Sequence, residues 1–130
     1  MKKKHVLLVD DNVTDNFITN HIVKKSKITE KITVKNSAIK ALEYLETIRE
    51  NAHEFPDLIF LDISMPIMDG FGFLEELVKF PLILNNEFAV VMLTSSNDQN
   101  DIDRAKSYSV VKEYFVKPLN IEKIATLNIS

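Results

Sequence analysis

Leu58-Ile59-Phe60-Leu61 is an unbroken apolar run that ends in a carboxylate, Asp62, and is followed by Met65-Pro66 and Asp69-Gly70. Four consecutive apolar residues leave no face for water, so the segment predicts a strand covered on both sides, as in the middle of a parallel sheet. The Asp69-Gly70 pair reads as the turn that ends the extended run. In open parallel sheets ligands gather just outside the carboxyl ends of the strands, and Asp62 stands at such an end. A post-strand aspartate can equally cap the following turn. The other strand ends decide between the two.

The chain has 130 residues, enough for one domain with one sizeable core. A net charge of -3 argues against a nucleic-acid binder, which needs a basic face to displace phosphate counterions. Lys2-Lys3-Lys4 reads as a solvated basic tip. With no cysteine, disulfides, thiolate metal sites and a thiol nucleophile are excluded. Val6 to Val9 is too short for a signal-peptide core or a membrane span, so a cytoplasmic protein is expected. His5, His21 and His53 lie far apart without ligand spacing and read as structural or surface residues.

Strand and helix patterns alternate along the chain. Val6-Leu7-Leu8-Val9 predicts a first strand, and it too ends in acid, Asp10-Asp11-Asn12. Phe17, Ile18, His21, Ile22 and Lys25 then recur at helical spacing after the capping oxygens of residues 11 to 14. Residues 31 to 35 alternate like a half-exposed edge strand. Asn36 or Ser37 caps a second helix carrying Ile39, Leu42, Leu45 and Ile48, up to about Glu50. Past Gly70, the residues Phe73, Leu74, Leu77 and Val78 predict a third helix that stops before Pro81. Leu82-Ile83-Leu84, followed by Asn85-Asn86, fits a loop or a short helix.

Phe88 to Leu93 is another buried strand, ending in the hydroxyls Thr94-Ser95-Ser96. Asn97, Asp98 and the acids to Asp103 suit the start of a fourth helix, which carries Ile102 and Ala105 and ends near Tyr108. Val110-Val111 and Tyr114 to Val116 make a last strand ending in Lys117-Pro118, and a short helix from Asn120 to about Leu127 closes the chain. Five strand-helix units predict a five-stranded parallel α/β sheet with helices on both faces. Right-handed crossovers cover both faces only if the strand order reverses, and the flavodoxin-like order 2-1-3-4-5 does so between strands 1 and 3.

That order gathers Asp10, Asp11, Asp62, Thr94 and Lys117 on one carboxyl edge. Carboxylates packed so closely repel one another. A divalent cation removes the conflict, and Mg2+, which takes oxygen ligands from one or two carboxylates plus phosphate, suits the set. Lys117 carries the wrong charge for a ligand and must face an anion. An ammonium and Mg2+ flanking one carboxylate neutralise charge on a transferring phosphoryl group, with the Thr94 hydroxyl bonding another phosphoryl oxygen. Asp62 is then the nucleophile that forms an aspartyl phosphate. The bland reading makes the acids caps, Thr94 a strand-end hydroxyl and Lys117 a solvated tip, and it has to hold at four strand ends together.

The set Val9-Asp10-Asp11, Leu61 to Gly70 (LDISMPIMDG), Leu93-Thr94-Ser95 and Val116-Lys117-Pro118 resembles the receiver domains of two-component response regulators, the CheY-like family, over nearly the whole chain. The resemblance implies a single receiver domain over 1–130 that accepts phosphate on Asp62 from a histidine kinase or phosphotransfer protein. It implies Mg2+ on Asp10, Asp11, Asp62 and the backbone carbonyl of Ser64, Lys117 pairing with the phosphoryl group, and Thr94 and Tyr114 as a switch pair. Thr94 drawn toward the phosphoryl oxygens vacates space into which the Tyr114 ring can turn, a local charge change that biases a two-state packing element. A protein partner is expected on the face of the fourth helix, fifth strand and fifth helix. Such a chain is a signalling domain that catalyses only its own phosphorylation and dephosphorylation.

Ser64 and Ser96 occupy positions that tune dephosphorylation in such domains, Ser109 stands where a glycine is expected after the fourth helix, and the final helix is short. A haloacid-dehalogenase-type phosphatase would place an acid where Ser64 stands. A non-phosphorylated pseudo-receiver would not need the full set of acids, Thr94 and Lys117. A flavodoxin-like cofactor binder would meet repulsion at Asp10-Asp11. No DNA-binding or catalytic domain fits after Leu127, and Met1 favours a stand-alone regulator over an excised receiver.

Overall fold

The computed structural model describes residues 3–85 and 87–127; Lys2 and Asn86 lie outside them. Its elements run β1 (Val6–Val9), α1 (Val13–Ser26), β2 (Ile32–Lys35), α2 (Ala38–Thr47), β3 (Leu58–Leu61), α3 (Gly70–Leu77), a 3-10 turn (Pro81–Leu84), β4 (Ala89–Thr94), α4 (Gln99–Lys106), β5 (Val111–Val116) and α5 (Ile121–Ala125). The strands form one parallel sheet in the order β2-β1-β3-β4-β5, as the alternating pattern predicts.

Burial follows the order. The three inner strands β1, β3 and β4 are buried along their whole length, whereas the edge strands β2 and β5 are only partly covered. Side chains on a strand alternate between faces, and two cores result. Leu7, Val9, Ile59, Leu61, Val90 and Met92 point to one side, where Ala41 and Leu45 of α2, Phe73, Leu74 and Leu77 of α3 and Ala105 of α4 cover them. Val6, Leu8, Leu58, Phe60, Val91 and Leu93 point to the other, under Val23 of α1 and Ile124 of α5.

Helices begin at side-chain caps. Asn12, Ser37, Asp69, Asp98 and Asn120 each accept a backbone N–H of the following turn. Asp69-Gly70 is therefore the start of α3 and not a free turn. The helices run shorter than their apolar patterns: α2 stops at Thr47 and α5 at Ala125.

Four readings are corrected in detail. In α1 the buried residues are Asn16, Thr19 and Val23, while Phe17 and Ile18 are exposed, because Asn16 is turned inward to bond the end of β1. In α2 Ile39 is exposed and the small residues Ala38 and Ala41 let the helix approach the sheet. Lys3 is not solvated: it bridges to Thr29 beside the sheet and its Nζ donates to the Glu87 carbonyl at 2.7 Å. Ser109, where a glycine is expected, has no positive φ: among the described residues the positive φ angles outside glycine fall at Lys27, which closes α1, and at Ile67.

Candidate functional site

The sheet ladder extends beyond the strands and fixes the site. The Asp62 amide donates to the Val9 carbonyl at 3.0 Å, and the Lys117 amide to the Thr94 carbonyl at 2.8 Å. These bonds aim the residues after β1, β3, β4 and β5 at one edge. Gly70 secures the β3 loop from below, its N–H donating to the Ile63 carbonyl at 2.8 Å. A Cβ there would stand 2.4 Å from the Asp62 carbonyl oxygen and 2.9 Å from the Ile63 Cα, so only glycine lets α3 begin so close to the loop.

Carboxylate oxygens of Asp10, Asp11 and Asp62 lie within 4.8 Å of one another. Asp10 and Asp62 are buried, at 6% and 5% exposure, and Asp11 is open to solvent. Asp10 is held twice, by the Asn12 amide donating to its Oδ1 at 2.9 Å and by Asn16 Nδ2 donating to its carbonyl at 2.7 Å. Burial raises the Asp10 carboxyl above its ordinary range, with the charge of Asp62 adding to the rise against the Lys117 and Asn12 hydrogen bonds.

Lys117 Nζ sits 2.8 Å from Asp10 Oδ2, 2.6 Å from Asp15 Oδ2 and 3.5 Å from Asp62 Oδ2. Burial by itself would lower this ammonium, but hydrogen bonds to Asp10 and Asp15 and the charge of Asp62 outweigh it and hold Lys117 firmly protonated. Asp62 Oδ1 is buried and has no hydrogen-bond partner among the described residues. An orphaned carboxylate oxygen amid two further acids is a donor set that fits a hard divalent cation taking oxygen ligands.

Thr94 is fully buried at the end of β4, and the Ser96 amide donates to its Oγ1 at 3.4 Å. Tyr114 does not join the acids. Its hydroxyl donates to the Ser96 carbonyl at 2.9 Å, which ties the ring to the loop that carries Thr94. Burial raises the Tyr114 hydroxyl above its ordinary value. Ser96 Oγ is engaged by Asp101 at 2.7 Å, and Ser64 lies exposed two residues beyond Asp62.

Two participants escape a reading of the sequence alone, Asp15 and Asn16. Both pass for ordinary first-turn helix residues. Their spacing held the available signal: Asp15 comes one helical turn after Asp11, on the first turn of the helix that begins at the acid cluster.

Three acids and one lysine thus meet at the switch point of a doubly wound sheet, the place where open α/β folds gather their ligands. The family pattern of the response regulator receiver domain matches residues 6–127, and the chain belongs to that family, the phosphoacceptor module of two-component signalling. Among curated relatives, the two-component response regulator ARR5 of Arabidopsis thaliana is 32% identical over 132 residues, covering 97% of this chain and 69% of that protein. ARR12 of the same plant is 34% identical over 122 residues, covering 94% of this chain; the chain spans only 18% of that protein's length. Among solved structures, a two-component response regulator from Cytophaga hutchinsonii superposes with a TM-score of 0.86 at 27% identity, over 96% of this chain and 93% of that one. The Mn(2+)-bound form of response regulator Rcp1 superposes with a TM-score of 0.69 at 28% identity, over 93% of this chain and 86% of that one. Among the described residues no helix is long and apolar enough to cross a membrane.

Proposed function

We propose that Asp62 is the phosphoacceptor of a single receiver domain spanning 1–130, and that Asp10, Asp11, Asp62 and the backbone carbonyl of Ser64 hold Mg2+. The observation that carries this reading is the buried, unpartnered Oδ1 of Asp62 beside Lys117. The proposed donor is a phosphohistidine on a sensor kinase or phosphotransfer protein. An Asp62 carboxylate oxygen attacks phosphorus and forms the new P–O bond. The P–N bond breaks, its electron pair stays on the imidazole nitrogen, and that nitrogen takes up a proton from water. Lys117 holds positive charge beside the incoming phosphoryl oxygens. Mg2+, when bound, supplies further positive charge to those oxygens and offsets the mutual repulsion of the acids.

Thr94 and Tyr114 are the proposed relay. The hydroxyl of Thr94 turns toward the phosphoryl group, and the Ser95-Ser96 segment follows it, which releases the Tyr114 hydroxyl from the Ser96 carbonyl. The output surface is the face of α4, β5 and α5, read by a cytoplasmic protein partner. The domain is a phosphoacceptor that catalyses only gain and loss of its own phosphate.

Incubation with acetyl phosphate, followed by intact-mass analysis, tests the reading. One phosphoryl adduct is expected, lost in Asp62→Asn and lost when EDTA removes Mg2+. An adduct that persists in Asp62→Asn, or none from either acetyl phosphate or a phosphohistidine donor, overturns it.

A further inference from the structure

A lysine ammonium has three N–H donors, and three carboxylates lie within 3.5 Å of Lys117 Nζ. The shortest contact is to the residue farthest from the chemistry: Asp15 Oδ2 at 2.6 Å, against 2.8 Å for Asp10 and 3.5 Å for Asp62. Asp15 is not a loose surface acid. Its backbone N–H donates to the capping oxygen of Asn12 at 2.9 Å, and it occupies the first turn of α1, where the helix dipole favours a negative charge. The α1 end thus presents Lys117 with a carboxylate carried on a capped helical turn.

We infer that Asp15 is a positioning residue that draws Lys117 toward α1 and away from Asp62, so that the acid cluster stays open to a divalent cation. The inference rests on the metal site proposed above. Lys117 and a dication compete for the same carboxylates, since Asp10 Oδ2 lies 2.8 Å from Lys117 Nζ while Asp10 belongs to the three-acid cluster. With Asp15 present, the ammonium is shared and its charge partly offset at the α1 side. Without that anion, Lys117 settles on Asp10 and Asp62, covers their oxygens and opposes the cation. A bland reading makes Asp15 a surface ion pair at a helix start, and such pairs contribute little. The two readings differ in what they couple to: a surface ion pair affects folding, whereas a positioning anion affects Mg2+ through Lys117.

Isothermal titration of the whole protein with Mg2+, without a phosphoryl donor, decides between them. Asp15→Asn keeps the size and removes the charge, and its Mg2+ dissociation constant should rise on the order of five- to tenfold above wild type, a coupling typical of residues in one network. Asp15→Glu should recover most of the affinity, and Asp15→Ser should behave as Asp15→Asn does. In a Lys117→Met background the same Asp15→Asn change should leave Mg2+ affinity within about twofold, because the effect runs through the ammonium. Equal affinities for wild type and Asp15→Asn overturn the inference while leaving the metal site intact. A loss that persists unchanged in the Lys117→Met background also overturns it, by making Asp15 a plain electrostatic attractor. A wild-type protein that takes up no Mg2+ overturns the inference together with the metal site it rests on.

Discussion

The two edges of the sheet both bury polar groups and treat them oppositely. At the amino edge, His5 is fully buried, its Nδ1 2.6 Å from the Glu54 carbonyl and its Nε2 2.7 Å from the Thr33 hydroxyl. Asp57 accepts the amides of Lys4 and His5 at 3.1 and 3.2 Å, and Lys3 reaches the Glu87 carbonyl. Each of these groups is matched by a neutral or opposite partner. At the carboxyl edge three acids converge, Asp62 Oδ1 has no partner among the described residues, and one ammonium serves Asp10, Asp15 and Asp62 together. Matched polar groups fasten an edge. Unmatched ones are destabilising unless a ligand completes them, which is why a protein retains them where it binds something.

The contrast can be broken most violently at Gly70. Gly70→Ala sets a Cβ against backbone atoms that cannot swing aside, so about 3 kcal/mol of stability should be lost in urea denaturation. Mg2+ binding should weaken with it, because the displaced segment carries Asp62.

At the fastened edge the next largest effect comes with pH. Burial lowers the His5 imidazole below its ordinary value of 6.5, against the raising influence of the Glu54 carbonyl, with Lys31 lowering and Asp57 and Glu54 raising it. The unfolded chain therefore protonates first as pH falls through 6.5, and stability drops by up to about 1.4 kcal/mol per pH unit until the folded pKa is reached. His5→Gln should flatten that part of the stability-pH curve relative to wild type. An unchanged slope would show that His5 does not carry it.

A matched pair of acids sharpens the comparison further. Asp57→Ala uncovers two backbone amides and should cost about 1 to 2 kcal/mol. Asp10→Asn, in metal-free buffer at neutral pH, should instead stabilise the fold, since the folded state holds that carboxyl above its ordinary range. Losses of equal size would erase the distinction between the edges. The smallest effect is expected at Ile67, a β-branched residue 95% exposed at φ 72°, where Ile67→Gly should gain about 0.5 kcal/mol by thermal denaturation.

What the sequence made legible follows from the same physics. The apolar runs of β1, β3 and β4, short and bounded by turn residues, read as strands covered on both faces, and their order indicated which ends meet. Asp10, Asp11, Asp62 and Lys117 could then be brought together from topology. Features set by single tertiary contacts were not legible. The inward face of α1 is chosen by Asn16 reaching the Asp10 carbonyl, which reverses the role that the spacing of Phe17 and Ile18 implies. Lys3 is buried because the Glu87 carbonyl lies within reach, a residue 84 positions away. Asp15 drew no reading because its partner Lys117 is 102 positions along the chain.

The central claim, that the unmatched acid at the carboxyl edge receives the phosphoryl group, is tested most directly by locating the modified residue. Borohydride reduces an aspartyl phosphate to homoserine, which peptide mass spectrometry then places in the sequence. After incubation with acetyl phosphate and Mg2+, homoserine is expected at position 62 and nowhere else. Homoserine at Asp10, Asp11 or Asp15, or none in protein that carries a phosphoryl adduct, would contradict the account.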